Sequence, residues 1–256
     1  MSLHVEIHGR GEPLLLIHGW GMHGGVWDGL VPQLAEHFEV RVVDLPGHGR
    51  SREVPATDGL DGLVAQLAGQ FDEPMAVCGW SLGGQVALHW AASHPQQVRK
   101  LVLIASTPCF AEREDWFFGM EAATLAQFAD ELEKNYAATL RRFLSLQVRG
   151  SENERELLTA LRARLFAHGE PDVASLRNGL AILRDADLRE ELPAVTQPTL
   201  VITGERDKLT PPEASYYLAQ VLPDASLEDV QGAAHAPFLS HAGQVIAPMI
   251  RFLSDR

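Results

Sequence analysis

The chain has 256 residues, 46% of them apolar, enough for a single α/β domain that carries an insertion and buries a sizeable core. Its formal net charge of −13 argues against nonspecific nucleic-acid binding, which needs a basic face. No apolar run is long enough to span a membrane, and the first residues lack the charged and apolar regions of a signal peptide, so a cytoplasmic protein is expected.

In chain order, Leu14-Leu15-Leu16-Ile17 reads as a buried strand running into His18-Gly19-Trp20-Gly21. A loop after an early strand can aim a backbone N–H at a reacting carbonyl oxygen, and Trp20 is the candidate donor. Residues 40–44 read as the next strand. Asp44-Leu45-Pro46-Gly47-His48-Gly49-Arg50-Ser51 then forms glycine turns, in which Asp44 is expected to cap backbone donors and to take no part in catalysis. Met75-Ala76-Val77-Cys78 is a further strand, followed by Gly79-Trp80-Ser81-Leu82-Gly83 and the helical pattern Gly84-Gln85-Val86-Ala87-Leu88-His89-Trp90. Among 22 glycines such a pentapeptide can arise by chance; the strand before it and the helix after it give it meaning. A serine on so sharp a turn projects its hydroxyl from the sheet, which makes Ser81 the candidate nucleophile and the N–H of Leu82 a second oxyanion donor.

Leu101-Val102-Leu103-Ile104-Ala105 is another strand, and after it the alternation stops. Residues 111–184 show helical spacing instead: Leu125, Phe128, Leu132; Leu140, Phe143, Leu144; Leu157, Leu161, Leu165. Gly150-Ser151 and Gly169-Glu170-Pro171 punctuate them. Residues 1–110 and 185–256 are therefore expected to form an α/β core, with 111–184 a helical lid above the carboxyl ends of the strands, where ligands bind in such sheets. Strand character resumes at Pro198-Thr199-Leu200-Val201-Ile202-Thr203-Gly204 and ends in Glu205-Arg206-Asp207. An activated serine needs a base and an acid that orients it, in the order serine, acid, histidine. Asp207 is the preferred acid, with Glu205 its competitor from the same loop. His235, among small residues after the weaker strand Ser226-Leu227-Glu228-Asp229-Val230, is the base. Cys78 and Cys109 read as buried free thiols without metal-ligand spacing, and no phosphate-binding glycine loop follows the first strand, so neither metal nor cofactor is expected. Residues 141–164 hold six arginines (141, 142, 149, 155, 162, 164) against three glutamates (152, 154, 156). On charge alone these are solvated helix faces with pairs such as Glu152 and Arg155.

From near residue 12 to its end the chain resembles the α/β-hydrolase superfamily, in the loop motifs at residues 18–21 and 44–51, in Gly79-Trp80-Ser81-Leu82-Gly83 and in the Ser81, Asp207, His235 set. The resemblance implies a mainly parallel central sheet with helices on both faces and an inserted helical lid. Two narrower segments, Ala105-Ser106-Thr107-Pro108-Cys109-Phe110 and Arg142-Phe143-Leu144-Ser145-Leu146-Gln147, with Ala233-Ala234-His235-Ala236-Pro237-Phe238, make it similar to the pimeloyl-(acyl-carrier protein) methyl ester esterases of biotin synthesis. That similarity implies hydrolysis of a carrier-bound methyl ester by Ser81, His235 and Asp207 through an acyl-enzyme. Trp20, Leu82 and His235, with Phe143, Leu144, Ser145, Leu146 and Gln147 of the lid, would contact substrate; the acyl chain would run along Trp20, Leu82, Phe143 and Leu146. It also implies docking of the acidic acyl-carrier protein on lid arginines, for which Arg142 and Arg155 match and Arg141, Arg149 and Arg162 are further candidates. A general short-chain carboxylesterase and a carbon–carbon bond hydrolase are the competing readings; nothing requires more than a monomer.

Overall fold

The protein is described here as a computed structural model covering residues 1–255. Its strands are β1 (Val5–Gly9), β2 (Pro13–Ile17), β3 (Glu39–Val43), β4 (Met75–Trp80), β5 (Val98–Ile104), β6 (Thr199–Gly204) and β7 (Ala225–Val230). They form one sheet in the order β1-β3-β2-β4-β5-β6-β7. Only the β1–β3 pairing is antiparallel. The apolar runs read as strands fill its centre: Leu14 to Ile17 and Leu101 to Ile104 are all buried, as expected of parallel strands covered on both faces. β7 is an edge strand with most side chains half-buried or exposed, which is why its sequence signal is weak.

Helices α1 (Val31–Leu34), α2 (Gly59–Gln70) and α3 (Leu82–Ser93) follow the first half of the sheet; α3 packs against β2, β4 and β5, and α2 against α3. Between β5 and β6 stand α4 (Ala122–Val148), α5 (Glu154–Leu165) and α6 (Val173–Asp185). Then come α7 (Pro212–Val221), the short α8 (Pro237–Ser240) and α9 (Ala242–Ser254), which lies against β6 and β7. Every apolar position that predicted helices in residues 125–165 is buried. The punctuating Gly150 and Gly169 have φ of +95° and +96°, conformations open to glycine at no steric cost. One feature of α4 was not visible in the sequence: Asn135 is non-helical (φ −161°, ψ 83°) and divides it. Asn135 Oδ1 accepts from Ala138 N at 3.0 Å, so the residue caps the second half of the helix that it interrupts.

After β3 the chain turns through residues 44–51 around Asp44. Its buried carboxylate accepts from Gly24 N at 2.6 Å and from Arg50 N at 2.8 Å, tying the loop after β2 to the loop after β3. Asp44 thus caps backbone donors, as read from the sequence. Because a lost partner leaves buried donors bare, Asp44→Ala is expected to lower the unfolding free energy by about 3 kcal/mol, measured by urea denaturation.

Candidate active site

β4 ends at Trp80, and Ser81 enters α3 with φ 56° and ψ −118°, a strained conformation for a residue with a Cβ. Glycine flanks it for steric reasons: a Cβ on Gly79 would run into the backbone of Gly83 and Gly84, and one on Gly83 into the carbonyls of Ile17 and His18. The strain is held by four hydrogen bonds to the Ser81 backbone, three with other backbone groups and one with a side chain. Ser81 N donates to Ile104 O (3.0 Å), and Ser81 O accepts from Gly84 N (2.9 Å), Gln85 N (3.3 Å) and Ser106 Oγ (3.0 Å).

The Ser81 hydroxyl lies 2.9 Å from His235 Nε2, and His235 Nδ1 lies 2.8 Å from Asp207 Oδ2. A carboxylate only accepts, so Nδ1 carries the hydrogen and Nε2 is free to accept from the serine hydroxyl. Asp207 Oδ1 accepts from Leu209 N (2.8 Å) and Thr210 N (3.1 Å), and Oδ2 also accepts from Thr210 Oγ1 (2.8 Å). Glu205, the competing acid, instead accepts from Gly232 N at 2.8 Å and caps the turn before His235. The His235 loop is pinned on two sides: its N–H donates to Gln147 O of α4 (3.1 Å), and its carbonyl accepts from the indole of Trp80 (2.8 Å). Ser81, Asp207 and His235 are each at most 5% exposed.

Gly19 carries the loop after β2 past the nucleophile; a Cβ there would stand 3.3 Å from Ser81 Cβ. His18 fixes this loop, donating through Nδ1 to Gly19 O (2.9 Å) and accepting through Nε2 from Leu45 N (3.0 Å). The N–H groups of Trp20 and Leu82 have no hydrogen-bond partner among the described residues, the state required of donors waiting for an oxyanion. The Trp20 side chain points into the helical layer. Its Nε1 donates to Leu176 O of α6 (2.9 Å), its ring meets Phe143 edge-on at 4.8 Å, and it lies so flat on Gly179 that a Cβ there would stand 2.5 Å away.

The α4 residues named from the sequence divide by helical face. Phe143 and Gln147, four apart, reach the Trp20 ring and the His235 loop respectively, and Gln147 Oε1 is buried without a partner. Leu144 is buried and Leu146 half-buried, whereas the Ser145 hydroxyl is engaged by Arg141 O at 3.0 Å. All five candidate docking arginines are exposed. Arg142 grips both oxygens of Glu131 at 2.6 Å, holding that carboxyl below the usual range, and lies 4.9 Å over the Phe128 ring. Arg141 sits 5.8 Å over Phe166; Arg141, Arg149, Arg155 and Arg162 have no carboxylate within 4.0 Å among the described residues. Sequence reasoning missed Thr210 and Ser106, whose hydroxyls bond to Asp207 and Ser81. An Asp-x-x-Thr spacing just before Pro211-Pro212 was the available signal for the first.

A match to the family described as alpha/beta hydrolase fold covers residues 12–242. The chain belongs to the α/β-hydrolase family. This hydrolase is 47% identical over 246 residues to the pimeloyl-(acyl-carrier protein) methyl ester esterase of Nitrosomonas europaea, covering 96% of this chain and 97% of the relative. It is 43% identical to the protein of the same name from Xanthomonas oryzae, covering 99% of each. Among solved structures, the Exiguobacterium antarcticum esterase (TM-score 0.89, 23% identity, 99% of this chain and 96% of that one) has the same fold. So has a Bacillus anthracis bromoperoxidase (TM-score 0.90, 22% identity, 99% and 95%).

Two histidines behind the site bear on stability. Burial and the neighbouring His48 depress His18 to about 3 from its ordinary 6.5, and burial also lowers His48. The folded chain keeps both neutral while the unfolded chain protonates them. The contribution of His18 is therefore intact above pH 6.5 and lost as pH falls towards about 3, and that of His48 is lost in the same direction. Urea unfolding followed from neutral to acid pH is expected to show stability declining by roughly 1.4 kcal/mol per unit on account of His18, with a shallower slope in His18→Gln.

Proposed function

We propose that this chain is a serine carboxylesterase hydrolysing the methyl ester of pimeloyl-(acyl-carrier protein) to methanol and the free carboxylate, in the cytoplasm, as a step of biotin synthesis. The observation that carries the reading is the unbroken line Ser81 Oγ, His235 Nε2, His235 Nδ1, Asp207 Oδ2 beside two unengaged N–H donors. The names and high identity of the full-length relatives point to the ester.

His235 Nε2 takes the hydroxyl proton as Ser81 attacks the ester carbonyl, and Asp207 stabilises the imidazolium through Nδ1–H. The N–H groups of Trp20 and Leu82 hold the oxyanion. When it collapses, the C–O bond to the methoxy group breaks and His235 gives its proton to departing methanol. Water then attacks the acyl-Ser81 ester, losing a proton to His235; Ser81 leaves and recovers that proton, releasing the free carboxylic acid, which ionises.

Residues 111–184 act in this reading as a lid, with α4 and α6 covering Ser81 and Phe143 and Leu146 lining the acyl path with Trp20 and Leu82. Exposed Arg149, Arg155 and Arg162, lacking carboxylate partners, suit the acidic carrier protein better than Arg142, which Glu131 already neutralises. No helix among the described residues is long and apolar enough to cross a membrane. Both free cysteines are buried, which suits a reducing compartment.

Two measurements test the reading. Ser81→Ala is expected to reduce turnover by about 10⁴-fold or more while leaving the unfolding midpoint unchanged; residual esterase activity near wild type overturns the mechanism. Arg155→Glu with Arg162→Glu, two turns apart on α5, is expected to cut kcat/KM on the carrier-bound ester by about tenfold at low salt and leave methyl butyrate unaffected. Equal hydrolysis of both esters, indifferent to charge reversal, would leave a general carboxylesterase.

A further inference from the structure

Hydrogen bonds from the acid loop and from the nucleophile turn converge on two residues at the carboxyl end of β5. Ala105, buried directly after Ile104, has φ +44°, in the left-handed region that favours glycine. Its N–H continues the sheet to Ile202 O (2.8 Å), and its carbonyl accepts from Thr210 Oγ1 at 3.0 Å. The same Oγ1 lies 2.8 Å from Asp207 Oδ2 and 3.3 Å from His235 Nδ1. Next to it, Ser106 Oγ donates to Ser81 O at 3.0 Å, and Ser106 packs so tightly on α3 that a Cβ on Gly84 would overlap its side chain. Thr210 and Ser106 are both buried.

We propose that Thr210 is a positioning residue for the reaction, and that the Ala105-Ser106 turn is the strut to which it fastens Asp207 on one side while Ser106 fastens Ser81 on the other. The proposal rests on the esterase reading above. The two reacting groups come from different strands, Ser81 after β4 and Asp207 after β6, with β5 between them. The registers of β4 on β5 and of β5 on β6 set strand spacing, but the ladders end at Ile104 and do not themselves place the side chains beyond it. Hydroxyl bonds at two consecutive residues of the intervening strand's end add that placement on both sides, and a site of this kind loses rate steeply with small misplacement.

Thr210 has a second effect, electrostatic in nature. Its one hydroxyl hydrogen is shared between Asp207 Oδ2 and Ala105 O, and the charged carboxylate draws the larger share. That donation spreads the negative charge of Oδ2 and restrains its pull on the imidazole proton. Asp207 is the charged group that the structure sets against His235; the remaining neighbours described, Ser81, Thr210 and the rings of Trp80, are neutral. Removing the hydroxyl withdraws that donor from Oδ2 and leaves this oxygen held by the imidazole alone.

The test uses the full chain with p-nitrophenyl butyrate, counting competent sites by fluorophosphonate titration so that misfolded protein does not enter kcat. Thr210→Val keeps the shape and removes the hydroxyl. It is expected to lower kcat about tenfold per titrated site with little change in KM. Thr210→Ser, which returns the hydroxyl, is expected to restore the rate. Ser106→Ala, which touches Ser81 and not Asp207, is expected to lower kcat with KM likewise little changed. A wild-type rate in Thr210→Val overturns the proposal, and so does a lost rate that serine does not rescue or a loss carried by KM. Turnover by the wild type that vanishes in Ser81→Ala checks the esterase reading separately: its absence removes both claims, whereas an indifferent Thr210→Val enzyme removes only this one.

Discussion

A carboxylate with almost no exposure to water is costly unless its lone pairs are filled, and the arrangement around Ser81 follows from how Asp207 meets that demand. Two backbone N–H groups take Oδ1, and a hydroxyl and an imidazole take Oδ2. The loop after β6 must therefore curl back on itself, and the loop after β7 must come close enough to present His235. Gly204 permits that approach, since any Cβ there would collide with the carbonyls of Ala233 and Ala234. Arg206 N then bonds to Ala233 O at 2.8 Å, fixing the two loops to each other before the side chains meet. The negative charge buried at this point is what lets a proton be lifted from a serine in a place without solvent to stabilise the resulting cation.

The helices over the site are attached to the core in a consistent way: each of the three gives a backbone carbonyl to a donor from the α/β part. Gln147 O of α4 receives the N–H of His235, Arg164 O of α5 receives His23 Nε2 at 2.7 Å, and Leu176 O of α6 receives the Trp20 indole. His23 Nδ1 accepts from Gly25 N, which leaves the hydrogen on Nε2 for that bond. Gln147 and Arg164 lie in the last turns of their helices, where carbonyls lack intrahelical partners. Packing does the rest: Leu140, Phe143, Leu161 and Leu176 join the same apolar core as the sheet.

Much of this was legible in the sequence, for reasons that can be named. Ser81 and Asp207 each follow an apolar strand and His235 a weaker one, and strand-then-loop is a local pattern. The leucine spacing of the helical layer is local too. What escaped reading was non-local. Glu131 neutralises Arg142 from eleven positions away, across the break at Asn135, and the intervening sequence has neither glycine nor proline to announce that break. Ser106 and Thr210 reach their partners only because β5 lies between β4 and β6, an order that follows from the sheet and not from the chain. Face assignment on α4 also needed the structure. The run from Phe143 to Gln147 wraps more than a full turn, so its members differ in burial and in what they touch.

The bond between Gln147 O and His235 N has a meaning beyond its role in packing. The helix whose carbonyl holds the His235 N–H is the one interrupted at Asn135, so its carboxyl-terminal half is seated as a piece of its own. Any displacement of that half-helix takes Gln147 O from His235 N, and with it one of the two backbone bonds that fix the histidine loop. The orientation of the imidazole and the seating of the half-helix are thus one variable and not two.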